Sequence, residues 1–303
     1  MKKIKVVTVV GTRPELIRLS RVIDLLDKNL NHILIHTGQN YDYELNKIFF
    51  KDKNLKKPKY QIKIKNNSPA AAISQILSEV DKILNKEKPD AFIILGDTNS
   101  CLSAYCAKRM KIPIFHIEAG NRCYDQRVPE EVNRKIIDHI SDVNVTYSEI
   151  AKNNLIRENI HPDKIFKIGS PLDEVYNYYK KKINNSQILE KYQLKKNNYF
   201  LVSVHREENL DNSKNLSKFI NLLKYLNKKF NEKILVTTHP RTMNKLRSVN
   251  LKKMKNLILS KPFSYSDYSY LQKNSKIVLS DSGSITEEAS ILQFLAINLR
   301  TTN

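Results

Sequence analysis

The chain has 303 residues, 41% of them hydrophobic, and a formal net charge of +21. That composition excludes a disordered chain and leaves room for two domains with separate cores. The lysines are scattered, and nothing resembles a recognition helix, an RNA-binding signature or a zinc finger, so the charge suits a polyanionic small substrate and argues against nucleic acid.

The N-terminus, MKKIKVVTVV, imitates a signal peptide until Arg13, Pro14 and Glu15 interrupt it without a small-residue cleavage site, so it reads as the first strand of a cytoplasmic protein. No apolar run approaches the roughly 18 residues of a membrane span. Strand Ile4 to Val10 leads into Gly11-Thr12-Arg13-Pro14-Glu15. Thr12 and Glu15 have capping-box spacing, Pro14 fits a first turn, and Leu16, Leu19, Val22, Ile23 and Leu26 mark the buried face of the next helix. Arg13, at a strand-to-helix turn, is well placed to hold phosphate, although neither GxGxxG nor GxxxxGK[ST] occurs.

Strand His32 to Thr37 precedes the polar loop Gly38-Gln39-Asn40-Tyr41-Asp42, and residues 51–67 read as a lysine-rich, solvated connection. A helix is expected over Ala70 to Leu84, then strand Ala91 to Leu95 and the loop Gly96-Asp97-Thr98-Asn99, where Thr98 or Asn99 caps the following helix. Cys101, Cys106 and Cys123 lack metal-ligand spacing and predict free thiols in a reducing compartment. Strand Ile112 to Ile117 ends in Glu118-Ala119-Gly120, and Pro129 opens a helix carrying Glu130 and Glu131 in its first turn. Carboxylates at a strand end and at a helix start present general acids and bases to one loop, although Glu130 and Glu131 also stand where acids favour a helix dipole.

Strands Val143 to Tyr147 and Ile165 to Ile168 close a first domain, 1–169, and residues 170–198 read as a linker region. The pattern restarts over 199–303 with strands Tyr199 to Val204, Ile234 to Thr238, Leu257 to Leu259 and Ile277 to Ser280. Its rim carries His205-Arg206 and His239-Pro240-Arg241, and then Ser280-Asp281-Ser282-Gly283-Ser284 before a helix. Ser284 and Glu287 have capping-box spacing, and the first-turn amides predict an anion nest. Glu288, one turn in, is a candidate acceptor for sugar hydroxyls. All six glycines stand at or just beyond apolar runs, tracing the carboxyl ends of buried parallel strands, where such sheets bind ligands. Two α/β units in tandem predict a cleft between them.

GTRPE (11–15), GDT (96–98), HIEAGNR (116–122), PEEVNR (129–134), HREEN (205–209), HP (239–240) and SDSGSITEEA (280–289) together resemble the non-hydrolysing UDP-N-acetylglucosamine 2-epimerases. NRCYDQRVPEE and the IRLS of residues 17–20 look more like the capsule and O-antigen branch, which acts on UDP-linked acetamido sugars. The resemblance implies a GT-B fold and a reaction without added cofactor: UDP leaves as the C2 proton is removed, and re-adds to a 2-acetamidoglycal after protonation on the other face. It implies Asp97, Glu118 and Glu130 as acid/base groups, with Arg18 and His205 in the catalytic set and Arg13 and His205 towards the diphosphate. Ser282, Gly283 and Ser284 then hold phosphate, Glu288 the ribose, Phe263 and Tyr268 the uracil, and Gln39 joins the substrate contacts. Arg18 stands where the better-known branch has lysine, so the charge is kept with a different geometry. The chain ends at Asn303, before the family's Glu-Arg-Pro-Glu segment and closing helices, and a buried strand Ala296 to Leu299 is expected to lack its covering helix. The expected working form is a cytoplasmic homodimer. The alternatives are a GT-B glycosyltransferase or a non-catalytic UDP-sugar-binding chain.

Overall fold

A computed structural model describes residues 3–38, 56–65, 68–204, 213–238 and 254–299. The chain divides into two compact units, Met1–Val175 and Tyr176–Asn303.

In the first unit β1 (Lys5–Val10), α1 (Arg13–Asn29), β2 (Asn31–His36), β3 (Tyr60–Gln61), α2 (Pro69–Glu87), β4 (Ala91–Leu95), α3 (Ala104–Arg109) and β5 (Ile114–Ile117) follow in order. They continue with α4 (Pro129–Ile140), β6 (Val143–Thr146), α5 (Glu149–Arg157) and β7 (Ile165–Lys167). All seven strands pair in parallel, in the order β3-β2-β1-β4-β5-β6-β7. The alternation of side chains along each strand divides the core. Val7, Val9, Ile33, Ile35, Phe92 and Ile94 pack with Ile76, Val80 and Leu84 of α2 on one face. Val10, Leu34 and Leu95 pack with Leu16, Leu19 and Ile23 of α1 on the other. Helices on both faces explain why these strands read as continuous apolar runs.

The chain crosses α6 (Pro171–Asn184) and α7 (Ile188–Lys191) within the segment assigned to a linker, and then builds β8 (Tyr199–Ser203), α8 (Ser213–Phe230) and β9 (Lys233–Thr237). After these come β10 (Leu257–Ser260), α9 (Tyr265–Asn274), β11 (Ile277–Ser280), α10 (Ile285–Leu292) and β12 (Ala296–Asn298). The sheet order is β10-β9-β8-β11-β12, again parallel. Phe200, Val202, Ile234, Val236 and Leu279 pack against Phe219, Ile220, Leu223 and Leu226 of α8. Two Rossmann-like parallel sheets are the components of the GT-B class. Strand order reverses direction at β1/β4 in the first sheet and at β8/β11 in the second, the switch points beside which open α/β sheets bind ligands.

Three local expectations change. The stretch read as a solvated connection contains β3, and Ile62 and Ile64 just after it are buried at 6% exposure each; its Tyr-Gln-Ile-Lys-Ile alternation is a strand signal obscured by the surrounding lysines. Thr12 caps no amide with its side chain: its hydroxyl donates to Glu15 Oε1 at 3.0 Å, while the Glu15 carboxyl accepts the Gly11 N–H at 2.6 Å. Thr98 likewise makes no side-chain cap; the chain leaves it in a short 3-10 turn, Asn99–Ser103, before α3 begins.

Gly120 and Gly169 both have left-handed φ, +81° and +83°, but their surroundings differ. A Cβ on Gly120 would collide with the Ala151 carbonyl of α5, whereas one on Gly169 meets nothing within 4 Å. We predict that Gly169→Ala costs about 1 kcal/mol, the backbone term alone, and that Gly120→Ala costs roughly 3 kcal/mol or more through the added clash. Chemical denaturation followed by circular dichroism checks this; equal losses would contradict it.

Candidate active site

The β1/β4 switch point brings together four strand- and helix-end segments. From the β1–α1 turn, Arg13 is half-buried at the first helical position, and Arg18, one turn further on, is buried at 7% exposure. Arg18 Nη1 donates to Glu118 Oε2 at 2.5 Å, and its guanidinium lies 5.8 Å from the Tyr147 ring centroid. Glu118 itself, the first residue after β5, has φ +72°, a left-handed conformation that is costly for a non-glycine residue. Neighbouring ladder bonds hold it there, with Gly96 N–H donating to Ile117 O at 2.9 Å and Ala119 N–H to Val145 O at 3.1 Å. Asn121 Nδ2 reaches the second carboxylate oxygen of Glu118 at 3.4 Å.

Asp97 follows Gly96 at the end of β4. Its Oδ2 accepts from Arg134 Nη2 at 2.5 Å, and its backbone carbonyl accepts from Asn133 Nδ2 at 2.9 Å, so α4 holds it from two positions. Burial pushes the Asp97 carboxyl above its ordinary proton affinity, Arg134 opposes the shift, and the nearby Glu130 charge reinforces it. Glu130 is half-buried in the first turn of α4. The structure therefore brings Asp97 within electrostatic reach of Glu130, and places Glu118 at the end of β5, the strand paired with β4.

Glu131, beside Glu130 in the sequence, has a different task. Fully buried, it accepts the backbone N–H groups of Cys123 at 3.0 Å and Tyr124 at 3.2 Å, and Arg134 Nη1 at 3.2 Å. It clamps the loop between β5 and α4. Arg122 is likewise structural, forked onto Glu158 at 2.8 and 2.5 Å and bonded to Asp138 at 2.7 Å.

In the second unit, the serine-rich turn after β11 is closed on itself more than the sequence suggests. Ser282 N–H donates to Ser280 Oγ at 3.1 Å and Ser284 N–H to Ser282 Oγ at 3.4 Å, so serine hydroxyls occupy amides expected to face an anion. Gly283 is exposed at the tip, and Ser282 and Ser284 are half-buried. Ser284 makes no capping bond towards Glu287; its hydroxyl donates to Glu288 Oε1 at 2.6 Å, and Gln272 Nε2 of α9 donates to Glu288 Oε2 at 2.5 Å. Phe263, between β10 and α9, is buried and meets Tyr192 edge-on with centroids 5.6 Å apart, while Tyr268 is half-buried on α9. Gln39 and His205 lie outside the described residues, as do His239 and Arg241.

A family model described as UDP-N-acetylglucosamine 2-epimerase matches residues 25–303. The chain belongs to this family. It is an isomerase of the 2-epimerase type, a finding that sets aside the glycosyltransferase alternative. The UDP-N-acetylglucosamine 2-epimerase of Methanocaldococcus jannaschii is 37% identical over 311 residues, covering 98% of this chain and 83% of the relative. The UDP-2,3-diacetamido-2,3-dideoxy-D-glucuronate 2-epimerase of Pseudomonas aeruginosa is 30% identical over 94% of this chain and 80% of its own length. The solved structure of UDP-N-acetylglucosamine 2-epimerase from Rickettsia bellii is 49% identical, with a TM-score of 0.91 over 99% of this chain and 80% of that one.

Glu15 of the GTRPE segment is a further buried carboxylate, which its capping-box spacing with Thr12 does not reveal. Its exposure is 3%, and burial pushes its carboxyl from 4.5 up to about 7, with the Gly11 amide the strongest opposing influence. A proton affinity raised on folding stabilises the fold fully below pH 4.5, and that contribution is lost as pH rises to about 7. Glu15→Gln removes the titration while keeping an acceptor for Gly11. The variant should gain stability relative to the parent by roughly 3 kcal/mol between pH 4.5 and 7, and no further above that. Unfolding midpoints of both proteins across this range measure the difference; parallel pH profiles would contradict it.

Proposed function

We propose that this family member inverts C2 of a UDP-linked acetamido sugar by eliminating UDP and re-adding it to a 2-acetamidoglycal, with Asp97, Glu118 and Glu130 doing the proton work. The observation that carries this reading is the gathering of three carboxylates on the rim at β4, β5 and α4, one ion-paired to Arg18 and one with raised proton affinity. Glu118, paired to a buried arginine, suits the group that removes the C2 proton. Asp97, made a better proton holder by burial and by Glu130, suits the group that returns one on the opposite face. Arg18 orients the Glu118 carboxylate, and Arg13 and His205 are assigned to the diphosphate as it departs. Ser282, Gly283 and Ser284 are assigned to phosphate, Glu288 to ribose, Phe263 and Tyr268 to uracil, and Gln39 to the substrate. Both the Methanocaldococcus and the Pseudomonas relatives are named for UDP sugars with an acetamido group at C2, which supports the substrate class. No helix among the described residues is long and apolar enough to cross a membrane, and the three cysteines are free, which suits a cytoplasmic enzyme.

An exposed apolar surface supports assigning a homodimer. Tyr105 of α3 and Val132 and Ile136 of the neighbouring α4 are exposed at 55%, 42% and 44%, and Val132 and Ile136 share a helix face. Sedimentation should give twice the chain mass, and Val132→Asp should shift it towards the monomer; a monomeric parent protein would sink the assignment.

Turnover in heavy water should place deuterium at C2 of the product, because the removed proton exchanges before one is returned. Glu118→Gln should lower the rate by roughly two to four orders of magnitude, with UDP affinity retained. Inversion with the original proton kept would rule out elimination. Undiminished exchange in Asp97→Asn, Glu118→Gln and Glu130→Gln alike would remove these residues from the mechanism.

A further inference from the structure

Beneath the rim, His116 of β5 has no exposed surface, with one ring nitrogen hydrogen-bonded and the other close to a carboxylate. Its Nε2 stands 2.9 Å from the Gly96 carbonyl oxygen, and its Nδ1 stands 2.9 Å from Asp138 Oδ1. A carbonyl can only accept, so Nε2 carries a proton. Nδ1 makes no aligned hydrogen bond, but a bare nitrogen lone pair held 2.9 Å from a carboxylate oxygen in the interior would be repelled by it, which favours a proton there too. We propose that His116 is a positioning residue of the acid/base rim: a buried imidazolium that fixes the Gly96 carbonyl, and with it the direction of Asp97, and sets a permanent positive charge behind that carboxylate. This rests on the reading of Asp97 as a proton-transfer group.

The surrounding charges agree. Burial alone would drive the proton off His116, but the Asp138 hydrogen bond and charge outweigh it, and Gly96 and Asp97 add to the same side. Asp138 is held below its ordinary range against burial by His116 and Arg122. Arg122 is in turn paired with Glu158, so the row from His116 to Glu158 alternates in sign. Asp97 faces His116 from β5 and Arg134 and Glu130 from α4. Cys101, from the turn after β4, is within reach of Asp97, Glu15, Asp138 and Arg134, and burial keeps it a neutral thiol. His116 is thus a buried cation acting on Asp97 from β5, as Arg134 acts on it from α4. Asp138 also receives the Gly120 N–H at 3.3 Å on each oxygen, so the same pair steadies the loop that follows Glu118.

His116→Gln can reach the Gly96 carbonyl but carries no charge; His116→Asn can reach Asp138 but not Gly96. Both should lower kcat at least about tenfold with the Kd of UDP unchanged. Both should also move the titration of the Asp97 carboxyl, followed by carbon-13 NMR, to higher pH, and with it the alkaline limb of kcat/KM, where an acid that must hold its proton loses it. Rate losses that follow melting temperature alone, with the Asp97 titration unmoved, would overturn the proposal. Nitrogen-15 NMR of the parent protein decides even where the variants do not fold: both His116 nitrogens should be protonated at pH 7, and a neutral ring there would overturn it. Asp97→Asn separates the two ideas. If that variant turns over normally while His116→Gln still shifts the Asp97 titration, the role given to Asp97 fails and the electrostatic role of His116 stands.

Discussion

A single buried carboxylate, that of Asp138, joins the parts from which the epimerase rim is built. With no side-chain exposure it stands against His116 of β5, Arg122 of the following loop and the backbone of Gly120, while it is itself carried by α4. An ion cluster withdrawn this far from water contributes little net stability when complete. Taking away one member leaves an uncompensated buried charge and costs about 3–5 kcal/mol. Geometry, more than energy, is what such a cluster supplies, because each charge is acceptable only while its partners keep their places.

That constraint explains how the rim tolerates features that are unfavourable one by one. Glu118 adopts a left-handed backbone conformation, Asp97 lies buried near the like charge of Glu130, and Glu15 is buried with a proton affinity lifted to about 7. Strain and like-charge proximity collect where the proposed proton-transfer carboxylates stand, and the surrounding β-ladder and the Asp138 cluster hold them in place. Arg18 of α1 engages Glu118 and Arg134 of α4 engages Asp97, so two of the three acid/base candidates are held from different helices.

Much of this was legible in the sequence. The continuous apolar runs ending in glycine gave parallel strands, and the acids just beyond them, Asp97 and Glu118, fall at the switch-point rim that such a sheet creates. The capping boxes were legible only as spacing. Thr12 with Glu15 and Ser284 with Glu287 have the right separation, but Glu15 binds the Gly11 amide while Ser284 turns to Glu288, because tertiary neighbours compete for the same groups. Glu130 and Glu131 are equivalent by helix position, and only the resemblance separates them; folding shows that Glu131 is consumed by the amides of Cys123 and Tyr124 while the charge of Glu130 acts on Asp97. His116 stands in the HIEAGNR motif, but nothing local shows its role, since its neighbours Gly96 and Asp138 come from the end of β4 and from α4.

The central claim is that the rim carboxylates act directly at C2. A crystal structure of the protein with UDP and the 2-acetamidoglycal bound tests it most directly. The account predicts C2 within about 3.5 Å of carboxylate oxygens from at least two of Asp97, Glu118 and Glu130, on opposite faces of the ring. A glycal bound with C2 facing water or other side chains, and these carboxylates engaged only with Arg18 and Arg134, would contradict it.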